Sequence, residues 1–237
     1  EMPGPSKDKL APKIGSTAKT LWAVYVGITI VLFILLWLCG MNWFDSLVHT
    51  FGTVATGGFS NKNRSVAEFE SWKIDLVLTI FMFVCGCNFA LLLNVIRGHF
   101  TDFFRNDEFK IYLGITLVTI FIFTILNATH PTHGEVTWLR SLQVSAFQVV
   151  AIMTTTGFAT DDYDLWPRSC QLVLLMLMFI GGCAGSTSGG LKVFRFLIVL
   201  KVGVREIVQL LRPRATLSVR VDGQSLDEAL LRVVLGF

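Results

Sequence analysis

Four stretches of this chain, residues 20–44, 76–96, 111–129 and 169–191, contain no charged side chain. About 20 apolar residues suffice to cross a hydrocarbon core of roughly 30 Å, so each stretch predicts a spanning helix. Shorter segments, 45–55 and 141–153, sit between the first and second stretches and between the third and fourth. At about 1.5 Å per residue they reach roughly 16–20 Å, which is only part of the way across. They predict half-helices that enter from one side, stop, and return as loops. Non-helical backbone at such depth is tolerated only where it is buried in protein or faces a water-filled cavity.

The loops that follow the half-helices are near-copies. Val54-Ala55-Thr56-Gly57-Gly58-Phe59 recurs 99 positions later as Met153-Thr154-Thr155-Thr156-Gly157-Phe158. Further on, Met82-Phe83-Val84-Cys85-Gly86-Cys87 matches Met178-Phe179-Ile180-Gly181-Gly182-Cys183 at a spacing of 96. The chain therefore reads as an all-α polytopic membrane protein built from repeated units of helix, half-helix, loop and helix. The expected divisions are an N-terminal segment 1–19, a membrane unit 20–97, a connecting loop 98–110 and a second membrane unit 111–202. A basic segment 203–224 and the start of a further unit, 225–237, complete it.

Composition agrees with the pattern: 53% of residues are hydrophobic and 16% charged, with a net charge of only +3. The distribution of cations says more than their sum. Lys7, Lys9, Lys13 and Lys19 precede the first span, Arg97, Arg105 and Lys110 follow the second, and seven more (Lys192, Arg195, Lys201, Arg205, Arg212, Arg214 and Arg220) follow the fourth. The opposite loops hold only Lys62, Arg64, Lys73, Arg140 and Arg168. This bias places the N-terminus, 98–110 and the basic segment in the cytoplasm. Cations at membrane ends give no support to nucleic-acid binding. Cys39, Cys85, Cys87, Cys170 and Cys183 lie in or beside apolar runs and read as small packing residues. Toward the C-terminus, alternation from Leu217 into Asp222-Gly223 predicts a hairpin. A helix should begin after it, capped by Ser225 with Glu228 at the capping-box position.

The loops carry the chemistry. A cation leaving water needs its hydration shell replaced, and backbone carbonyls do this without trapping it on a full counter-charge. Aligning successive carbonyls demands unusual dihedrals, which Gly58 and Gly157 tolerate. Thr56, Gly57, Thr155 and Thr156 precede them, and each threonine hydroxyl can bond locally or face the ion. Phe59 and Phe158 should wedge the loops against surrounding helices. The half-helix turns its negative dipole end toward the loop, favouring a cation. Asp161, Asp162 and Asp164 could concentrate cations at a mouth or simply form a solvated loop.

A second Gly-rich stretch interrupts the fourth span: Gly181, Gly182, Cys183, Ala184, Gly185, Ser186, Thr187, Ser188, Gly189 and Gly190. It lacks the Gly-Lys-Ser/Thr of a phosphate cradle and any preceding strand. Close helix packing through small residues is one reading; a locally unwound helix is the other, and on the expected topology the break falls on the cytoplasmic side of the loops, where a gate would sit. Lys192 and Arg195 would then face a water-filled vestibule or snorkel to the interface. His49, Asn88 and Asn94 read as hydrogen bonders between helices. An enzyme is not expected, since His130 and His133 lack a partner at useful spacing.

The paired loops and the Gly-Gly-Cys-Ala-Gly-Ser-Thr-Ser-Gly-Gly segment together resemble the Trk/Ktr/HKT superfamily of potassium transporters, in its bacterial Trk branch, over essentially the whole chain. The resemblance implies a potassium-channel-like fold: four such units around a pseudo-fourfold pore, each giving one filter strand with a key glycine. Gly58 and Gly157 match those glycines, with Thr56, Gly57, Thr155 and Thr156 supplying carbonyls to potassium, the transported ion. No covalently bound cofactor is implied. Gly181, Gly182, Gly185, Ser186, Thr187, Ser188, Gly189 and Gly190 match the family's intramembrane gating loop. The two units here resemble the second and third of the four. Two units cannot close a fourfold pore, so a fragment, or a half that needs partners, is expected. The resemblance further implies potassium uptake across the bacterial inner membrane by a multi-pass, lipid-embedded protein. It implies pairing as a homodimer and control by a cytoplasmic RCK-type nucleotide-binding subunit, with no nucleic-acid partner. A non-conducting membrane subunit that anchors a cytoplasmic partner is the alternative. Channel-like and coupled transport stay open.

Overall fold

The computed structural model describes residues 14–129 and 137–212, together with 218, 220–222, 224–226, 231, 233, 234 and 236. The first unit comprises α1 (Ile14–Leu38), half-helix α2 (Trp43–Val54), a 3-10 turn (Ser65–Phe69), α3 (Trp72–Cys85) and α4 (Phe89–Ile96). A short α5 (Phe100–Arg105) leads into the second: α6 (Asp107–Thr129), half-helix α7 (Trp138–Met153), another 3-10 turn (Tyr163–Leu165), α8 (Arg168–Ile180) and α9 (Val193–Leu211). Two-residue strands β1 (Arg220–Val221) and β2 (Gln224–Ser225) pair antiparallel after them. The chain is thus an all-α membrane protein with, among the described residues, one minute hairpin.

Local chemistry sets the boundaries. Asn42 caps α2 by accepting the Asp45 amide at 2.7 Å, and the Thr137 hydroxyl caps α7 by accepting that of Arg140. α1, from Ala18 to Leu38, and α6 are long and apolar enough to cross a membrane. Their outward faces carry exposed Trp22, Ile30, Trp37, Leu117 and Phe121, an apolar surface suited to lipid. The half-helices instead lie inside. α2 packs against α1 and α3, while α7 packs against α3, α6 and α8, burying His49, Thr50 and Thr53 of α2 and Ser141, Ser145 and Gln148 of α7. Two apolar clusters meet at α7. One joins Leu32, Leu36, Leu78 and Met82 to Phe147, Ala151 and Phe158. The other joins Tyr112 and Phe123 to Val149, Met153 and Leu174.

The second expected span, 76–96, is not straight. α3 and α4 meet at 106°. The cause is Gly86. A Cβ there would lie 2.4 Å from the Tyr112 hydroxyl and 2.8 Å from Thr154 Cγ2, so neighbouring helices occupy the space a side chain would need. The Gly86 carbonyl, freed from the helix, accepts the Cys183 amide at 2.8 Å, and Asn88 restarts the helix by accepting the Ala90 amide at 2.8 Å. Asn88 therefore caps its own helix rather than bridging two. The fourth span breaks as expected, ending at Gly181 (φ +77°) and restarting after Lys192 (φ +66°). The two breaks touch: Gly86 and Gly182, equivalent at the spacing of 96, are in contact, since a Cβ on Gly182 would lie 2.8 Å from the Gly86 carbonyl.

Between its strands the hairpin turns at Asp222, with φ +50°. Ser225 belongs to β2 rather than to a helix cap, and Glu228 lies outside the described residues. His130 and His133 also lie outside them, as do Lys7, Lys9 and Lys13.

Candidate functional site

Both Thr/Gly loops are built by one hydrogen-bond pattern repeated 99 residues apart. The Ala55 amide donates to Phe51 O at 3.0 Å, as Thr154 does to Val150 O at 2.9 Å. Thr56 donates to Thr53 O at 3.1 Å and Thr155 to Ile152 O at 2.9 Å. The next two amides then converge on a single acceptor. Gly57 and Gly58 reach Gly52 O at 2.8 and 3.1 Å, while Thr156 and Gly157 reach Ala151 O at 2.9 and 3.0 Å. These bonds satisfy carbonyls that a helix terminus leaves open.

Convergence of the amides fixes the carbonyls. Among the described residues every peptide bond is trans, so each C=O points opposite to the N–H of the same peptide unit. The Thr56 and Gly57 carbonyls share peptide units with the Gly57 and Gly58 amides. They therefore point together, away from α2. The same holds for Thr155 and Thr156 relative to α7. The dihedrals carry the cost: Thr56 and Thr155 adopt φ +51° and +58°, and Gly58 and Gly157 +65° and +85°. A β-branched residue in this region is strained, and other bonds hold it there.

Those other bonds occupy the hydroxyls. Thr56 Oγ1 donates to Ala55 O at 2.8 Å and Thr187 O at 3.0 Å. Thr155 Oγ1 accepts the Gly189 amide at 2.6 Å. Thr156 Oγ1 pairs with Thr154 Oγ1 at 2.8 Å, and Thr154 Oγ1 donates to Val150 O. All three hydroxyls bond protein groups, locally for Thr156, in the Gly-rich segment for Thr155 and in both places for Thr56, which leaves backbone oxygens as the groups presented. The loops lie side by side, since a Cβ on Gly58 would sit 1.8 Å from Thr156 O.

The phenylalanines differ. Phe158 is fully buried and stacks on His49 with ring centroids 5.5 Å apart. It also packs on Gly52, where a Cβ would lie 2.9 Å from its ring tip. Phe59 is 82% exposed, so the expected wedge forms only in the second loop. The reason is directional, because Phe158 packs on the half-helix of the preceding unit. His49 donates from Nδ1 to Asp45 O at 2.8 Å and meets Ser60 Oγ through Nε2 at 2.9 Å. It braces its own loop rather than bridging spanning helices. Behind it the Asp45 carboxylate accepts the Asn61 and Asn42 side-chain amides at 2.6 and 2.8 Å and faces Lys62 at 3.4 Å. The acidic trio is partly engaged in turns: Asp161 accepts the Trp166 indole N–H, and Asp162 accepts the Asp164 amide.

The Gly-rich segment does not sit at a distance below these loops. Thr187 O and the Gly189 amide are the groups bonded to Thr56 and Thr155. It is folded on itself by Ser188 Oγ, which accepts the Gly182 amide at 3.1 Å, and by Ser186 Oγ, which donates to Cys183 O at 2.6 Å. It also docks on the bend in the first unit, with Phe89 N donating to Gly185 O and Thr187 Oγ1 to Cys85 O. Lys192 turns back into the segment, its Nζ on the carbonyls of Ser186 and Ser188, rather than toward a vestibule or interface. Glu108 is a further residue of the site that the sequence pattern does not single out. Its carboxylate is buried at the start of α6 and accepts the amides of Ala184 and Phe194 at 2.5 and 3.1 Å. Its only sequence signal was an acid at the edge of an uncharged run.

Chemically, the loops offer uncharged, strongly dipolar oxygens at the negative ends of two half-helices, and among the described residues no group of three or more His, Cys, Asp or Glu side chains is placed to hold a metal ion. Such a surface suits a weakly held monovalent cation rather than an anion.

Comparison with known proteins agrees. The family model TrkH, described as cation transport protein, matches residues 1–111 and 109–237. The Trk system potassium uptake protein TrkH of Salmonella typhimurium is 41% identical over 239 residues, covering 100% of this chain and 49% of its own length. The Trk system potassium uptake protein TrkG of Escherichia coli is 38% identical over 243 residues, with coverage of 100% and 49%. Among solved structures, the potassium transporter TrkH from Vibrio parahaemolyticus superposes with a TM-score of 0.89 at 35% identity, covering 95% of this chain and 48% of that one. The chain spans about half the length of the curated relatives it matches. On these grounds it belongs to the TrkH family of cation transport proteins.

Proposed function

We propose that this chain supplies two adjacent filter strands of a potassium-conducting pore, and that the protein takes up potassium across the bacterial inner membrane. The observation that carries the reading is the duplicated turn. Two loops 99 residues apart spend the same amides on the same half-helix carbonyls, so that Thr56, Gly57, Thr155 and Thr156 turn their own carbonyls away from the half-helices. Gly58 and Gly157 are the points at which each strand bends back. Dehydration of potassium is offset by these uncharged oxygens, which do not trap the ion as a full counter-charge would. The names of the relatives, potassium uptake proteins, support the choice of ion.

The Gly-rich segment 181–190 acts as the gate, because it bonds directly to both strands and interrupts the helix that carries it. Pairing as a homodimer and control by a cytoplasmic RCK-type nucleotide-binding subunit fit the same reading, with the basic segment 203–224 as the cytoplasmic face. Rubidium uptake into potassium-depleted cells tests it. Gly157→Asp in the intact protein should abolish uptake with the protein still in the membrane, and unchanged uptake would refute the filter. Deleting residues 182–188 should raise conductance; an unaltered open probability would refute the gate.

A further inference from the structure

The Gly-rich segment carries no charge of its own, yet two buried or half-buried charges close around it. Glu108 of α6 is 4% exposed. One of its oxygens, Oε1, accepts both the Ala184 amide at 2.5 Å and the Phe194 amide at 3.1 Å. Ala184 lies near the start of the segment and Phe194 in the first turn of α9, so a single carboxylate gathers the two ends. Lys192 works from the other side. Its Nζ contacts the Ser188 carbonyl, with Ser186 O, Ser186 Oγ and Ser188 Oγ each at 3.4 Å. A carboxylate can only accept and an ammonium can only donate. The free amides of the segment meet the first and its free carbonyls meet the second.

Capping of α9 accounts for one of the two Glu108 bonds, since an anion at a helix N-terminus is favourable. It does not account for the bond to Ala184, which reaches ten residues back. Nor does helix capping require Lys192 to fold toward Ser186 and Ser188 rather than outward. The Lys192 contacts, on Ser186 and Ser188, flank Thr187 and Gly189, which touch Thr56 and Thr155, while the Ala184 contact pins the start of the segment.

We propose that Glu108 and Lys192 are positioning residues that latch the Gly-rich segment against the loops, and that release of either lets it swing clear. This rests on the gate reading above. Bonds to charged groups are the stronger class; what remains once they are cut is the buried Cys183 and neutral hydrogen bonds to Gly86, Phe89, Cys85, Thr56 and Thr155. Neither residue touches the ion; both act through the segment.

The test uses the intact protein in proteoliposomes, with single-channel open-to-closed ratio and melting temperature measured on each variant. Glu108→Gln and Lys192→Met should each raise the ratio by about tenfold or more, and Lys192→Arg, which keeps the charge, should recover most of the closed state. Deletion of residues 182–188 serves as the reference for a lost gate. If that deletion opens the pore while both substitutions leave the ratio unchanged, the latch is overturned and the gate stands. If the deletion also changes nothing, the gate reading falls and the latch with it. A lower melting temperature with an unchanged ratio would assign the pair to stability alone and overturn the proposal. Should Glu108→Gln fail to fold, the Lys192 variants decide.

Discussion

Gly57 and Gly58 are adjacent, yet the geometry assigns them opposite tolerances. At Gly58 the backbone is left-handed (φ +65°), and an added Cβ would lie 1.8 Å from Thr156 O and 2.8 Å from Thr156 C. Left-handed backbone costs an ordinary residue about 1–2 kcal/mol. The contact adds more, because nothing flexible can give way: both atoms are backbone of the neighbouring strand. Restoring even a 3.0 Å separation moves the Thr156 carbonyl by roughly 1.2 Å. That is a large displacement for an oxygen that must replace water around an ion. At Gly57 the nearest atom to an added Cβ is a Phe59 ring carbon at 3.5 Å, an ordinary contact. The equivalent position in the second loop already carries a side chain, Thr156. Gly58→Ala should therefore lower rubidium uptake by about tenfold or more, and Gly57→Ala should leave it within about twofold. Uptake is measured as initial rate per protein in the membrane, together with potassium-over-sodium preference, which Gly58→Ala should weaken. Equal effects of the two substitutions, or wild-type preference in Gly58→Ala, would refute the argument.

Phe158→Ala removes a fully buried ring that rests on His49 and Gly52, and should cost about 3–5 kcal/mol in detergent unfolding. Gly86→Ala should destabilise by about 1–3 kcal/mol through its clash with the Tyr112 hydroxyl. Combined with Tyr112→Phe it should cost less than the sum of the two, and strict additivity in the double-mutant cycle would exclude the contact. Burial alone would push the Asp45 carboxyl up, but the Asn61 amide and the Lys62 ammonium outweigh it and hold the group below its ordinary range. Its contribution to stability is therefore complete above about pH 4 and fades as pH falls through the lowered value. Asp45→Asn should flatten that acid limb of the melting curve, and an unchanged limb would rule out the network as its source.

Much of this was legible in the chain. Uncharged runs marked α1 and α6, half-length segments marked α2 and α7, and the 99-residue repeat placed Thr56 opposite Thr155 before any coordinates. These features depend on local pattern and on the membrane's thickness, which sequence carries directly. The bend at Gly86 was not legible. Cys85-Gly86-Cys87 reads as helix packing, and only Tyr112, Thr154 and Cys183, distant in sequence, make a break there favourable. The unequal fates of Phe59 and Phe158 have the same origin, since Phe158 packs on the half-helix of the other unit while Phe59, in the matching loop, stays exposed. Glu108 looked like the edge of a span because its partners, Ala184 and Phe194, lie some 80 residues on. The Ser225-x-x-Glu228 spacing suggests a helix cap, but hydroxyl-x-x-acid spacing also fits the end of a hairpin, where Ser225 lies.

The central claim is that paired loops present the Thr56, Gly57, Thr155 and Thr156 carbonyls to a dehydrated cation. Anomalous scattering from crystals of the intact protein soaked in rubidium tests it most directly. The account predicts anomalous density beside those four carbonyls, displaced when potassium is restored and lost in Gly58→Ala. Well-ordered loops with no anomalous density at saturating rubidium, or density bound instead by side chains elsewhere, would contradict it.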